Sequence, residues 1–422
     1  MLRRLILGLV AVSVGAQTPA EEDVGAAMRR IRVRVSEDLN RLPNYTCLET
    51  IERSEQLPGE KRFQLVDRVR LEVALVGNAE MFAWPGSREF QSRRLRDLVS
   101  GGAIGNGSFA LHAKSVFDGR SAEVERVGET VLLGRKAMEY RYNVPRARSR
   151  FALRHGNMEA NVGYGGSFYV DRDSDELIRL EVRANDIPRQ LGIPAEEEIL
   201  DYQRVRLGEA EFLLPKGSVM RMTSDDGSVS LNKTTFSACK QYSTESTLIF
   251  DDPAEVAGGA ALPPNEVRNV PAGLKMDVRL LTPLLWGKSA VGDAVTARVR
   301  RDAKVGKEVI IPKGSQLKGR LICLERRANV SGGNAYLIAV RFDDLTANRW
   351  RATVQTQLLE AQSYPEMSVS RRGPSRVNAP TPVLARVHPS GQNVFVVYNE
   401  PRFTDGLDLV LVTETTPESQ KP

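Results

Sequence analysis

The chain has 422 residues, 41% of them hydrophobic and 27% charged, with a formal net charge of +6. That length exceeds what one hydrophobic core ordinarily organises, so two domains are expected. The 59 basic and 53 acidic residues are mixed along the chain, an excess too mild for a nucleic-acid binder, and no nucleic-acid partner is expected.

At the N-terminus, Arg3 and Arg4 precede the apolar run Leu5 to Val14, and Val14-Gly15-Ala16 places small or β-branched residues where a signal peptidase reads. Residues 1–16 therefore read as a cleaved signal peptide. The run falls well short of the ~20 residues that span a bilayer as a helix. No cysteine follows the cleavage point, which argues against a lipoprotein anchor, and no later segment is long or apolar enough to cross. The mature chain, its charge reduced to +4 by the loss of Arg3 and Arg4, reads as periplasmic or otherwise exported. Peripheral contact with an anionic membrane surface or peptidoglycan is compatible with that balance, a solvated arginine-rich surface being the plain alternative.

Three cysteines in an oxidising compartment leave one unpaired. Cys47 in NYTCLETIER and Cys239 in TTFSACKQY stand near the two ends of the first half, and a structural disulfide between them would close nearly all of it. Cys323, in LICLE, reads as a buried free thiol with no histidine beside it to activate it.

From Val24, the residues Met28, Ile31, Val35, Leu39 and Leu42 recur at spacings of three and four, one face of an amphipathic helix that Pro43 ends. Arg29, Arg30, Arg32 and Arg34 take the other faces. Alternation then predicts strands. Val69 to Leu75 turns at Gly77-Asn78 into Met81 to Trp84. Residues 91–117 break the alternation and read as helical pieces around the glycine-rich Gly102 to Ser108. Strands resume at Val131 to Leu133 and Met138 to Tyr142, and Ser167 to Val170 and Leu177 to Val182 flank the turn DRDSDE. Tyr202 to Leu207, Glu211 to Leu214, Val219 to Thr223, Val229 to Thr235 and Thr247 to Phe250 complete the first domain, residues 24–250. It is expected to be a helix with a curved antiparallel half-barrel.

Residues 251–267 have linker composition. The second domain, residues 268–414, opens on a phrase used twice, 41 positions apart: Val270-Pro271-Ala272-Gly273 leading to Met276, Arg279 and Leu280, and Ile311-Pro312-Lys313-Gly314 leading to Leu317, Arg320 and Leu321. Proline sets φ and glycine supplies the φ > 0 position, so each copy is a tight turn feeding a strand. The duplication predicts a small pseudo-symmetric β-barrel. Its strands are expected at Lys275 to Leu280, Ala294 to Val299, Glu308 to Ile311, Gln316 to Leu324, Tyr336 to Phe342, Ala352 to Leu359, Val394 to Tyr398 and Leu407 to Val412. Residues 361–383 read as a polar excursion and 415–422 as a disordered tail.

The chemistry-bearing motifs are incomplete. Gly102 to Ser108 has phosphate-loop spacing without the lysine. Asp171, Asp173 and Asp175 begin a calcium loop, but Glu176 stands where glycine is needed and Val182 where the bidentate glutamate belongs. His112, His155 and His388 are scattered, and there is no G-x-S-x-G elbow. Glu196, Glu197 and Glu198, or Asp225 and Asp226, are the carboxylates that would serve a hydrolase if they faced a cleft; the plain alternative is a surface acid run. No catalytic residue, cofactor or metal is assigned.

Two resemblances rest on particular segments. VPAGLKMDVRLLTPL, the strand GDAVTARV, and VIIPKGSQLKGRL with the strand ending VRFDDL resemble the TrbI-type β-barrel of conjugal-transfer and type IV secretion proteins, Ile311 to Ser315 and Gly319 being the most specific part. That resemblance implies assembly through the barrel, hence a homo-oligomer or a subunit of an envelope transport complex. The polar excursion departs from the family's apolar insertion. The N-terminal helix, long sheet and hairpin FYVDRDSDELIRLEV resemble LolA-like lipoprotein carriers, whose concave face holds acyl chains. Phe82, Trp84, Phe109, Tyr140, Tyr142, Phe168 and Tyr169 are the candidates for such a face, ordinary core being the alternative.

The leading expectation is an exported envelope binding or scaffold protein without catalysis, holding a lipid, an acyl chain or an envelope protein on a concave sheet. A transport-complex subunit is second and a secreted hydrolase third.

Overall fold

The computed structural model describes residues 24–76, 79–87, 90, 113, 116–117, 122–155, 158–241, 266–328, 333–363, 381–387 and 393–414. The expected leader, the Gly77-Asn78 turn, Gly102 to Ser108, Phe109, His112, the strand at Thr247 to Phe250, residues 251–265 of the linker, residues 364–380 of the excursion, His388 and the tail lie outside the described residues, while the two ends of the excursion belong to paired strands. No described helix is long and apolar enough to cross a membrane.

The fold is mainly β. Its helix α1 (Val24–Asn40) buries Met28, Ile31 and Val35, the face its periodicity predicts, and Ala27 beside them. Arg30 on the outer side reaches Asp175 at 3.1 Å, and Arg34 reaches Asp38 at 3.6 Å.

Among the described residues, twelve strands follow in the first half: β1 (Tyr45–Gln56), β2 (Gln64–Val76), β3 (Ala79–Ala83), β4 (Glu123–Leu132), β5 (Arg135–Val144), β6 (Ala152–His155), β7 (Met158–Asn161), β8 (Gly163–Asp171), β9 (Leu177–Asn185), β10 (Ala195–Leu207), β11 (Ala210–Thr223) and β12 (Val229–Gln241). Ten of them form one curved antiparallel sheet in the order β3-β2-β1-β12-β11-β10-β9-β8-β5-β4, while β6 and β7 make a separate hairpin. The first and last described strands of this half, β1 and β12, are thus neighbours in mid-sheet, and a disulfide joins Cys47 to Cys239 across them, with Cα atoms 4.1 Å apart. The register slips by one residue there, and Ala238 takes a positive φ of 48° in the bulge.

Two expectations change. The segment Pro215-Lys216-Gly217 reads as a break between strands, yet β11 runs through it: Asp201 pairs with Gly217 and Tyr202 with Pro215, leaving Lys216 as the extra residue of a bulge. Strand β4 begins at Glu123, eight residues before the expected Val131. It is an edge strand without one buried residue, so it carries no apolar alternation to read.

In the second half lie β13 (Glu266–Val267), β14 (Lys275–Leu280), β15 (Leu284–Leu285), β16 (Ala294–Val299), β17 (Ala303–Val305), β18 (Glu308–Ile311), β19 (Gln316–Ala328), β20 (Asn334–Thr346), β21 (Trp350–Thr353), β22 (Gln355–Ser363), β23 (Thr381–Leu384), β24 (Arg386–Val387), β25 (Asn393–Val397), β26 (Arg402–Phe403) and β27 (Leu407–Glu414). The main sheet runs β13-β21-β20-β19-β16-β14-β27-β22-β23, with β25 also paired to β20. It curls back on itself. Val354 N–H donates to Asp343 O at 2.8 Å, and the Thr356 hydroxyl contacts both Phe342 N (2.9 Å) and Phe342 O (3.1 Å). A side chain, in place of a continuous ladder, thereby links β22 to β20.

The repeated phrase has a structural counterpart. Gly273 (φ 81°) and Gly314 (φ 89°) head β14 and β19, and these strands pair with the two edges of β16. Each turn glycine donates its N–H to a neighbouring strand, Gly273 to Thr413 O at 2.7 Å and Gly314 to Val299 O at 2.8 Å. Met276, Leu280, Leu317 and Leu321 are all buried.

Candidate functional site

From Cys47 onward the residues of β1 alternate between buried and half-buried, and Tyr45, Cys47, Glu49, Ile51 and Arg53 share the inner face of the first sheet. The register extends that face sideways. Glu49 stands opposite Leu71 on β2 and Phe236 on β12, Thr234 opposite Ser218, and Met220 opposite Glu198. Three zones result.

Over β5, β8, β9 and β10 the face is aromatic and covered by α1. Tyr140 stacks on Phe168 with ring centroids 5.1 Å apart, Phe117 meets Phe168 edge-on at 5.1 Å, and the Tyr142 hydroxyl donates to Glu181 O at 2.9 Å. Ile31, Met28 and Val35 pack into the same cluster. The expected aromatic face is therefore occupied by the chain's own helix. Phe82 is buried as well, Trp84 packs half-buried against the core between the sheets, and Tyr169 is half-buried on the opposite parity of β8.

Over β2, β1 and β12 the inner face is covered by the second sheet. One apolar cluster runs through both, from Val69, Leu71 and Val73 to Val291, Leu321 and Phe342. Val69 and Val291 pair as a parallel bridge. Arginines tie the rest to backbone carbonyls. Arg68 donates to Gly287 O, Arg326 Nε to Leu65 O at 2.8 Å, and Arg320 Nη1 to Pro85 O at 2.5 Å and Gly292 O at 3.2 Å. Arg70 pairs with Asp293. The two arginines of the repeated phrase thus diverge: Arg320 spans the sheets, while Arg279 holds Asp408 at 2.9 Å within the second. At the base of this zone Arg53 and Asp67 form a buried pair, Nε to Oδ1 at 2.7 Å.

Between these zones lies a buried polar band. Glu49, Glu196 and Glu198 are 5%, 5% and 3% exposed, beside Ser218, Asn232, Thr234 and Tyr202. Burial first, then the neighbouring Glu80 and Glu198, push the Glu49 carboxyl up to about 8. Glu49 is therefore protonated at neutral pH, able to donate a hydrogen bond from an interior position. Burial also raises the Tyr202 and Tyr45 hydroxyls well above their ordinary values.

The structure brings only some of the candidate carboxylates together. Glu196 and Glu198 face the band, whereas Glu197 points outward, 3.8 Å from Arg183. Asp226 belongs to a turn, its carboxylate accepting from Ser228 N at 2.8 Å and Ser228 Oγ at 2.6 Å. Asp171 accepts from Asp173 N, Ser174 N and Ser174 Oγ, so that loop spends its acid on its own turn. His155 Nδ1–H donates to Leu191 O at 2.8 Å. Cys323 is a free, buried thiol whose Sγ lies 3.6 Å from Leu337 O, and burial pushes it far up. Glu49 is the residue that reading for acid runs misses. Its signal is parity, a glutamate in step with Tyr45, Cys47 and Ile51.

Comparison with family models and with curated proteins returned no match. Solved structures similar to the chain include a DUF1329 family protein from Desulfovibrio piger, 13% identical, with a TM-score of 0.29 over 54% of this chain and 96% of that one. A LolA superfamily protein from Nitrosomonas europaea is 12% identical, with a TM-score of 0.27 over 51% of this chain and 94% of that one. A putative outer membrane lipoprotein-sorting protein domain from Vibrio parahaemolyticus is 10% identical, with a TM-score of 0.25 over 50% and 94%. Scores of this size assign neither fold nor function.

Proposed function

We propose that this chain is an exported, non-catalytic binding or scaffold protein of the cell envelope, working as one rigid body. The observation that carries this reading is that the inner face of the first sheet is covered by the chain itself. Helix α1 lies over Tyr140, Tyr142 and Phe168, and the second sheet lies over Val69, Leu71 and Val73. Contact with an envelope partner then falls to the outer surfaces. An alkaline phosphatase fusion to the full chain tests export, an active reporter being the expected result. Native mass spectrometry of the mature chain should give the protein mass alone; a co-purifying lipid would instead favour an acyl-chain carrier. Turnover of ester, peptide or glycoside substrates that is lost in Glu198→Gln would overturn the non-catalytic reading.

A second reading, a structural subunit of an envelope transport complex, draws support from the duplicated turn and strand around β16. Sedimentation velocity separates the two. Concentration-dependent association favours the subunit, and a strict monomer at high concentration removes it.

A further inference from the structure

The strands β17 and β18 stand apart from both large sheets as a two-stranded hairpin. Its base is fixed. Ala303 and Ile311 are buried, Lys313 N–H donates to Asp302 Oδ1 at 2.8 Å, and Gly314 N–H donates to Val299 O at 2.8 Å. Its tip is exposed and apolar on both sides, Val305 at 54% and Val309 at 42%, around the turn Gly306-Lys307. Cross-strand pairing sets Lys304 beside Val309 and Val305 beside Glu308.

The charge of this segment is one-sided. Residues 298–313 carry six cations against Asp302 and Glu308, a net +4, equal to the charge of the whole chain once Arg3 and Arg4 are removed. Arg300 and Arg301 are paired, with Asp408 at 2.7 Å and Asp277 at 3.4 Å. Among the described residues Lys304, Lys307 and Lys313 make no ion pair, and all three are exposed. Elsewhere several exposed arginines meet carboxylates, as Arg141 does at Glu125 and Arg172 at Glu129. Here Lys304 and Lys307 flank two uncovered valines at the tip, and Lys313 stands at the base.

We propose that the β17–β18 hairpin is a docking element for an anionic phospholipid surface, Lys304, Lys307 and Lys313 engaging headgroup phosphates while Val305 and Val309 enter the interface. The charge complementarity selects an anionic partner, and the apolar tip selects a bilayer over a soluble polyanion, which offers a valine nothing. The inference deepens the exported-binding reading and rests on it.

The test is co-sedimentation of the mature full chain with vesicles of phosphatidylcholine alone or containing about a third phosphatidylglycerol. Binding is expected on the anionic vesicles only, and is expected to weaken when salt rises from about 0.1 M to about 0.5 M. The triple variant K304E/K307E/K313E should bind at least roughly a hundredfold more weakly. The double variant V305S/V309S keeps every charge and should also lose affinity for vesicles while keeping whatever affinity the chain has for heparin. Equal binding to neutral vesicles, wild-type binding by the triple variant, or no loss in the valine variant overturns the proposal. Thermal midpoints matching the wild type exclude misfolding, and the valine variant carries the test if the triple variant does not fold. An inactive phosphatase fusion with vesicle binding intact removes export and leaves the docking surface standing; an exported chain that ignores anionic vesicles removes the docking surface alone.

Discussion

Val291 lies in parallel register with Val69, its carbonyl accepting the Arg70 N–H at 2.8 Å and its own N–H donating to the Arg68 carbonyl at 2.8 Å. This short ladder joins β2 of the first sheet to the segment between β15 and β16. With a common apolar core beneath it and arginine-to-carbonyl bonds around it, neither sheet can part from the other without exposing both. A single cooperative unfolding transition is therefore expected, coincident by tryptophan fluorescence and far-UV circular dichroism. Two separated transitions would show that the sheets fold independently.

Gly292 follows that ladder with φ 100°, and a Cβ there would meet Arg70 O at 2.3 Å and Trp84 Cε3 at 2.7 Å. Both the backbone conformation and the space forbid a side chain. Gly292→Val should lower stability by roughly 3 kcal/mol or more, read as a shift in urea midpoint.

Breaking Cys47–Cys239 releases a loop of 192 residues. The double variant C47S/C239S should lose on the order of 5 kcal/mol in the chain-entropy model. A reactive-thiol count on the unfolded, unreduced wild type should find one group, Cys323, which the native protein keeps shielded.

Glu49 has its folded carboxyl pushed up to about 8, against about 4.3 in an unfolded chain. Over that interval the native state binds the extra proton, so stability is fully present below the lower value and falls as pH rises through the upper one. Thermal midpoints from about pH 5 to about pH 8 should decline in the wild type, and Glu49→Gln should flatten that decline.

The Arg53–Asp67 pair, with side chains 5% and 3% exposed, stands between the sheets. Asp67→Ala removes the carboxylate that meets both Nε and Nη2 of a buried guanidinium and should cost about 3–5 kcal/mol. The double variant R53M/D67L should recover much of that loss, which a denaturation series on the three variants would reveal.

The readability of the fold follows the one-sidedness of its strands. Helix α1 and strands β14, β16 and β27 show alternating or helical periods because one face is buried, and their positions follow from that pattern. The edge strand β4 buries no residue and shows nothing to read. At Pro215-Lys216-Gly217 the residues of a turn serve a bulge, since tertiary pairing with Asp201 and Tyr202 holds the strand together through them. The inter-sheet contact is hidden for a different reason. Arg68, Arg70, Arg320 and Arg326 have the sequence signature of solvated surface, and only their partners across the sheets, the Asp293 carboxylate for Arg70 and backbone carbonyls for the others, make them structural. Of the inner band, the acid run exposes Glu196 and Glu198 to view, while Glu49 passes as one more surface glutamate.

Because Cys47 and Cys239 sit side by side, the first sheet begins and ends at one spot, its ends 4.1 Å apart at those Cα atoms. To the rest of the chain, everything between them is a closed excursion that sets no spacing of its own. At its far end this excursion carries the exposed Leu133-Gly134 tip, between β4 and β5 at the edge of the sheet. Evolution could lengthen or shorten the excursion by whole hairpins at that tip and leave the second sheet where it stands.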